Sequence, residues 1–259
     1  MSLTFGSGPL SKTHGQTNLA VPERATFAEP WGRRLRAVFG GETVFDTERA
    51  MVLHETGKLP VHWVPRGDVR ADLLRAMGSD PDHPSAWDVV VGDRTAKRAV
   101  KAYRQRDAAD LDLGDYLTFT FGALDRWFDE DDPVYAHLKD PYHRVDVRSS
   151  SRHVTVRSNG QTIAESHRPA LLFETGLPTR YYLPFADVRL ELLFLSETVS
   201  ECPYKGEGQH WHLTVDGQRT EDAAWSLPHP LPEGFGAAEH VCFYADKVEV
   251  EVDGKRLTS

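Results

Sequence analysis

His153-Val154-Thr155-Val156-Arg157-Ser158-Asn159-Gly160, continued by Leu171-Leu172-Phe173-Glu174-Thr175-Gly176 and Tyr182-Leu183-Pro184, is a passage the chain uses twice. Moved back by 119 residues, it runs over Gly41, Glu55-Thr56-Gly57 and Pro65 without a gap. At the same offset Thr162, Arg168, Asp187-Val188-Arg189 and Leu192-Leu193 fall on Thr43, Arg49, Asp68-Val69-Arg70 and Leu73-Leu74. One long offset shared by so many residues marks a duplicated domain, not a short-period solenoid. Cys202-Pro203-Tyr204-Lys205-Gly206 has no twin. At that offset stand His83-Pro84-Ser85-Ala86-Trp87, which keep the proline and lack the thiol and the lysine. The reading is two copies, with the chemistry in the second.

Within each copy the signals are those of strands and tight turns. Leu35–Phe39, Gly40-Gly41 and Thr43–Phe45 read as strand, turn, strand, and Asn159-Gly160 and Asp216-Gly217 are strong hairpin signals. Apolar residues at 69, 73, 74 and 77 predict a short helix capped by Asp68. Its counterpart starts at Asp187 and packs through Val188, Leu192, Leu193 and Leu195. A further helix is expected over Ala96–Ala109, with Lys97, Arg98, Lys101, Arg104 and Arg106 on its solvated face. Gln209–Val215 and Val248–Val252 alternate as strands, and Ala223-Ala224-Trp225 opens another element before Pro228 and Pro230. The expected organisation is an N-terminal arm over 1–30, a first domain over 31–132 and a second over 153–259. Residues 133–152 between them are too aromatic and charged for a flexible spacer and read as an ordered strap. His137, Asp140, His143, Arg144 and Asp146 in it either line a groove or pair with one another.

A length of 259 residues suits two domains. The formal net charge of −9 opposes binding of a phosphate backbone, so no nucleic-acid partner is expected. No apolar run reaches membrane-spanning length, and the first residues lack the apolar core of a signal peptide. With only Cys202 and Cys242 and no Cys-x-x-Cys, the expectation is a cytoplasmic protein with reduced thiols, away from the membrane.

The pattern Gly160…Ala164-x-Ser166…Glu174…Tyr182-x-Pro184…Asp187-Val188…Cys202-Pro-Tyr-Lys-Gly…Trp225 resembles the domain-of-unknown-function 427 family in tandem form. The similarity runs from about Trp31 to Val252, and the Cys-Pro-Tyr-Lys-Gly string makes it specific. The resemblance implies a mainly β chain of two tandem β-tent-like domains, each a twisted antiparallel sheet arrangement with a short helix. This is the fold class of methionine-sulfoxide reductase B and the cereblon ligand-binding domain. It brings no settled activity.

Lys205, fixed between a proline and a glycine, is placed to accept a carboxylate or phosphate as a point charge. Its plainer reading is a salt bridge to Glu174 or Asp187. Cys202 lies three residues earlier, where a cation would activate a thiol; a packed core cysteine is the other reading. Tyr182 matches Trp63 in the first copy, so an aromatic body is kept and the hydroxyl is new. Tyr204, Trp211 and Trp225 complete the expected wall of a small pocket, with Glu174 beside it. The expected partner is a small, anionic or amide-bearing molecule; an enzyme using Cys202 or Lys205 and a docking protein are the alternatives. No cofactor is expected. No metal is expected either, since His210 and His212 with Cys202 lack a fourth ligand. Nucleotidyl transfer would need a carboxylate pair on a strand; Asp80-Pro81-Asp82 and Asp110-Leu111-Asp112 have an Asp-x-Asp spacing, but neither reads as a convincing strand.

Overall fold

Asn159 and Gly160 both adopt left-handed backbone (φ 51° and 75°), as do Asp216 and Gly217 (49° and 76°) and Gly40 and Gly41 (60° and 85°). Two successive positive φ values make the turn whose twist matches that of the flanking strands, so these dipeptides close hairpins where the sequence places them. The structure, a computed structural model, describes residues 23–78, 85–103 and 111–258. Contacts divide the chain between Tyr142 and His143 into two units.

The first unit contains β1 (Thr26–Pro30), β2 (Leu35–Phe39), β3 (Glu42–Thr47), β4 (Met51–Glu55), β5 (Val61–Pro65), β6 (Leu74–Ala76), β7 (Ala86–Val91), β8 (Arg94–Ala102), β9 (Tyr116–Phe119), β10 (Arg126–Asp129) and β11 (Asp132–Pro133). The second contains β12 (Val145–Ser149), β13 (Val154–Ser158), β14 (Gln161–Ser166), β15 (Ala170–Glu174), β16 (Arg180–Pro184), β17 (Leu193–Cys202), β18 (Gly206–Val215), β19 (Gln218–Pro230), β20 (His240–Phe243), β21 (Glu249–Val252) and β22 (Lys255–Arg256). The large sheet has the order β1-β4-β5-β9-β8-β7-β6 in the first unit and β12-β15-β16-β20-β19-β18-β17 in the second. A four-stranded sheet accompanies each, and every pairing is antiparallel. The chain is thus two tandem β domains of one topology. Residues expected in the arm form β1, and part of the expected strap forms β12. No helix among the described residues is long and apolar enough to cross a membrane.

The expected helices are absent among the described residues. The Asp68 and Asp187 segments are pairs of 3-10 turns, Arg66–Asp68 with Ala71–Leu73 and Phe185–Asp187 with Leu190–Leu192. Between each pair the backbone bonds to the small sheet, through Arg70 N to Val44 O (2.9 Å) and Arg189 N to Ile163 O (2.9 Å), which leaves no helical ladder. Leu195 therefore lies on β17, and the basic run from Lys97 lies on β8; residues 104–109 of that expected helix are outside the described residues. β19 runs through Pro228 because β20 pairs only with Ala224–Ser226 and the β18 ladder shifts register between Ser226 and His229, so Pro228 faces no paired residue on either side.

Asp68 and Asp187 end their turns and cap no helix. Each accepts a hydroxyl, Thr47 Oγ1 at 2.6 Å or Ser166 Oγ at 2.7 Å, and a guanidinium, Arg49 or Arg168. The same hydroxyl oxygens accept the backbone N–H of Arg49 and Arg168. The duplicated residues are therefore a device that ties the bend before β4 or β15 to the turn after β5 or β16.

In the second unit the main core lies between the sheets, with Val154, Ile163 and Val250 from the small one meeting Leu183, Leu213 and Val241 from the large one. Alternation sends Leu172, Tyr182 and Cys242 to the other face of the large sheet. There Tyr204, Leu227 and Ala237 join them in a second cluster. The candidate site is on this outer face.

Candidate functional site

Cys202 pairs with Gly206, so Pro203-Tyr204-Lys205 is the loop that closes the β17–β18 hairpin, not a loop following a helix. Gly206 has φ 94°, and a Cβ there would lie 2.8 Å from His229 O and 3.1 Å from Leu231 N. Lys205 O accepts the N–H of Leu231 at 3.0 Å. Gly234, in the 3-10 segment Pro232–Ala237, comes close enough that a Cβ would sit 3.2 Å from Lys205 Cα. Two glycines thus let β19 and the segment after it clamp the lysine backbone.

The lysine side chain meets Glu174, not Asp187. Its Nζ donates to Glu174 Oε2 at 2.5 Å, and His143 Nε2 donates to Oε1 at 3.0 Å, since an ionised carboxylate only accepts. Side-chain exposure is 8% for Glu174 and 20% for Lys205. Burial pushes the Glu174 carboxyl up, but the hydrogen bonds from His143 and Lys205 and the lysine charge outweigh it and hold it at about 2. Tyr204 is buried against the His143 ring (centroids 4.3 Å apart) and so supports the histidine that orients Glu174.

Beside the pair lies a cavity of about 220 Å³, lined by Glu174, Arg180, Tyr182, Cys202, Lys205, Trp225 and Tyr244, with Gly206 and Gly208 among its backbone surfaces. Tyr182 is 1% exposed and accepts a hydrogen bond from Trp225 Nε1 at 2.9 Å, and burial pushes its phenol above the usual value. Trp225 packs against Tyr244 (4.3 Å), and Arg180 stands over the Trp225 ring at 5.5 Å. Burial pushes the Cys242 thiol up to about 12, which fits a packing role. Cys202 is half-buried on the cavity wall.

Of the seven residues singled out from sequence, Lys205, Glu174, Cys202, Tyr182 and Trp225 converge on this cavity. Tyr204 stands behind it. Trp211 is on the opposite face, donating to Ser226 Oγ at 2.9 Å and packing on Phe185. The reason is register: His210, not Trp211, faces Trp225 across the β18–β19 ladder. Arg180, Tyr244 and Ser200 were missed, although each stands two residues along from Tyr182, Cys242 or Cys202 and hence on the same face of its strand. His210 Nε2 lies 3.1 Å from Ser200 Oγ and His212 Nδ1 accepts the backbone N–H of Asp222 at 3.1 Å, so the two imidazoles have separate partners. Asp80, Asp82 and Asp110 lie outside the described residues.

A family model described as Domain of unknown function (DUF427) matches residues 27–130 and again residues 146–254. The chain belongs to this family, in tandem form. A search of curated proteins returned no match. Comparison of the two DUF427 repeats corrects the 119-residue alignment of the motif. Leu74 pairs with Val89 while Leu193 pairs with Leu213, so the offset is 119 on the first strand of the hairpin and 124 on the second. Five extra residues therefore lie in the β17–β18 hairpin. The structural counterpart of Trp211 is Trp87, and Ala86 matches His210, not Lys205. By the same register Trp225 and Cys242 correspond to Lys101 and Thr118. In the first DUF427 repeat the equivalent face holds Trp63 edge-on to Tyr103 at 5.3 Å. Among the described residues, the Lys205–Glu174 pair and the Tyr182–Trp225 hydrogen bond have no counterpart in the first repeat.

A depressed carboxylate pKa stabilises the fold above its unfolded value of 4.5, and that stability is lost as pH falls towards about 2. Wild type is expected to exceed Glu174→Gln by about 2 kcal/mol at neutral pH, a figure reduced for the lysine's partial contact with water. Melting temperatures of the two proteins should converge as pH falls through that window. A gap independent of pH would mean that the ion pair contributes nothing.

Proposed function

We propose that the second repeat binds a small carboxylate with a flat apolar body. The observation that carries this reading is Arg180. Its guanidinium lines the cavity and stands over Trp225, and among the described residues no carboxylate pairs with it. The other cation in the cavity, Lys205, is neutralised by Glu174. A guanidinium offers a carboxylate two parallel hydrogen bonds, and Trp225 and Tyr244 offer a planar body their faces. A volume of about 220 Å³ is smaller than that of sites for drug-sized ligands, so the molecule is metabolite-sized. In this reading Lys205 and Glu174 shape one wall, and Cys202 contributes surface. Catalysis by Cys202 is less well supported, because no hydrogen bond or ion pair involves its thiol among the described residues, and activation needs such a partner.

The test is ligand-observed NMR with a panel of small aromatic and aliphatic carboxylates and their amides. Aromatic carboxylates should bind and their amides should bind more weakly. Arg180→Met should weaken binding roughly tenfold or more, the size of a charge-assisted hydrogen bond. Binding that is unchanged in Arg180→Met, or equal for acid and amide, would remove the basis for this reading.

A further inference from the structure

On the small sheet of the second unit, away from the cavity, β13 and β14 pair Val154 with Ser166 and Thr155 with Glu165. Extending that ladder by one step sets His153 opposite His167, with Glu165 two residues away on the same face as His167. The two imidazoles lie parallel, with centroids 4.2 Å apart and planes 8° apart, and His153 Nε2 is 2.7 Å from Glu165 Oε1. One ligand atom from each of His153, Glu165 and His167 lies within 4.8 Å of the others. Glu165 and His167 are exposed, so their side chains have room to turn, while His153 is half-buried beside Thr155 Oγ1 at 3.4 Å.

The first unit supplies the comparison. The 119-residue offset holds on these strands, since Leu35 pairs with Thr47 where Val154 pairs with Ser166. The equivalent positions are therefore Arg34, Asp46 and Glu48. Arg34 donates twice to Asp46, from Nε at 2.7 Å and Nη2 at 2.5 Å, which is a closed cross-strand ion pair. A guanidinium has no lone pair to give a metal. In the second unit all three positions carry groups that have one. The carboxylate of the cross-strand pair is kept; what changes is that Arg34, which cannot bind a metal, is replaced by His153, which can, and Glu48 by a second imidazole, His167.

The geometry points to a surface site for a zinc-like divalent transition ion, held by His153, His167 and Glu165. Two imidazoles and a carboxylate are the donor set that such borderline ions prefer over magnesium or calcium. Tetrahedral bonds of ~2.0–2.2 Å put donor atoms ~3.3 Å apart, so rotation of exposed side chains closes the set. Three protein ligands leave the fourth position open to water or to a donor from outside. The His153–Glu165 hydrogen bond keeps one imidazole beside the carboxylate, and it gives way on binding, when the ligating ring nitrogen must carry no proton.

The experiment is calorimetric titration of the full chain, made without a histidine tag and stripped with chelator, using zinc chloride and then magnesium chloride. One zinc per chain, bound with a micromolar dissociation constant, and no comparable response to magnesium are expected. His167→Ala should weaken zinc binding by roughly tenfold or more, and Glu165→Gln should weaken it less. Because His167 is on the surface, its variant should melt as wild type does, so lost affinity is not lost folding. His167→Gln gives a second version that keeps the side chain's bulk. No zinc binding at millimolar concentration, or binding indifferent to both His167 variants, overturns the assignment.

Discussion

Lys205→Ala is expected to destabilise the second unit by about 3 kcal/mol, the low end of the cost of breaking a buried ion pair. Glu174, 8% exposed, would keep its charge with only His143 to compensate it, or would take up a proton. For a unit of this size the loss corresponds to roughly 10 °C in melting temperature. Lys205→Ala/Glu174→Gln should recover part of it, because the double variant strands no charge. A thermal scan of wild type, both single variants and the double variant supplies the cycle. A Lys205→Ala protein that melts like wild type would mean that the carboxylate is solvated despite its burial. The first unit is no control for this substitution, since Ala86 aligns with His210 and the loop's counterpart falls within the undescribed residues 79–84.

Gly206→Ala is expected to cost as much or more. The position needs φ 94°, a region that side chains disfavour, and the new methyl would stand 2.8 Å from the carbonyl oxygen of His229. That neighbour is backbone on the paired strand and cannot rotate aside. Strain of this kind costs about 1–3 kcal/mol before the clash is added. The substitution should also move Lys205 off Glu174 and thereby remove the cavity wall, so ligand binding and melting temperature fall together. Gly217→Ala separates the two causes: its φ is 76°, but nothing lies within 4 Å of the added Cβ. It should cost about 1 kcal/mol. Equal effects at the two positions would show that the approach of His229 is not what demands glycine.

Residues that act locally were legible in the sequence. Asn159-Gly160, Asp216-Gly217 and Gly40-Gly41 close hairpins because two left-handed residues in a row can do little else. The repeat was legible too, since Gly41 and Gly160, or Arg49 and Arg168, answer the same local geometry twice. The segments at Asp68 and Asp187 misled because 69, 73, 74 and 77 fit a helical face, while the backbone N–H groups there find acceptors on the neighbouring sheet. A short apolar pattern cannot say where its hydrogen bonds go.

The site was half legible for the same reason. Glu174, Tyr182, Cys202, Lys205 and Trp225 could be gathered from their unusual company in the sequence, and they do meet. Which face a strand residue takes is set by a period of two, and each irregularity in a ladder resets it. The β18–β19 ladder shifts register between Glu207 and Gln209 and again between Trp211 and Leu213. Between those shifts the ladder sets Trp225 opposite His210 on the cavity side and Ala224 opposite Trp211 on the core side. The shifts are properties of the pairing of two strands, so neither strand's sequence displays them. The sequence by itself determined the duplication, the turns and the chemical types available. The pairing of Lys205 with Glu174, the placing of Arg180 over Trp225 with no carboxylate partner among the described residues, and the choice between the two tryptophans were decided in the tertiary structure, where cross-strand hydrogen bonds join residues distant along the chain.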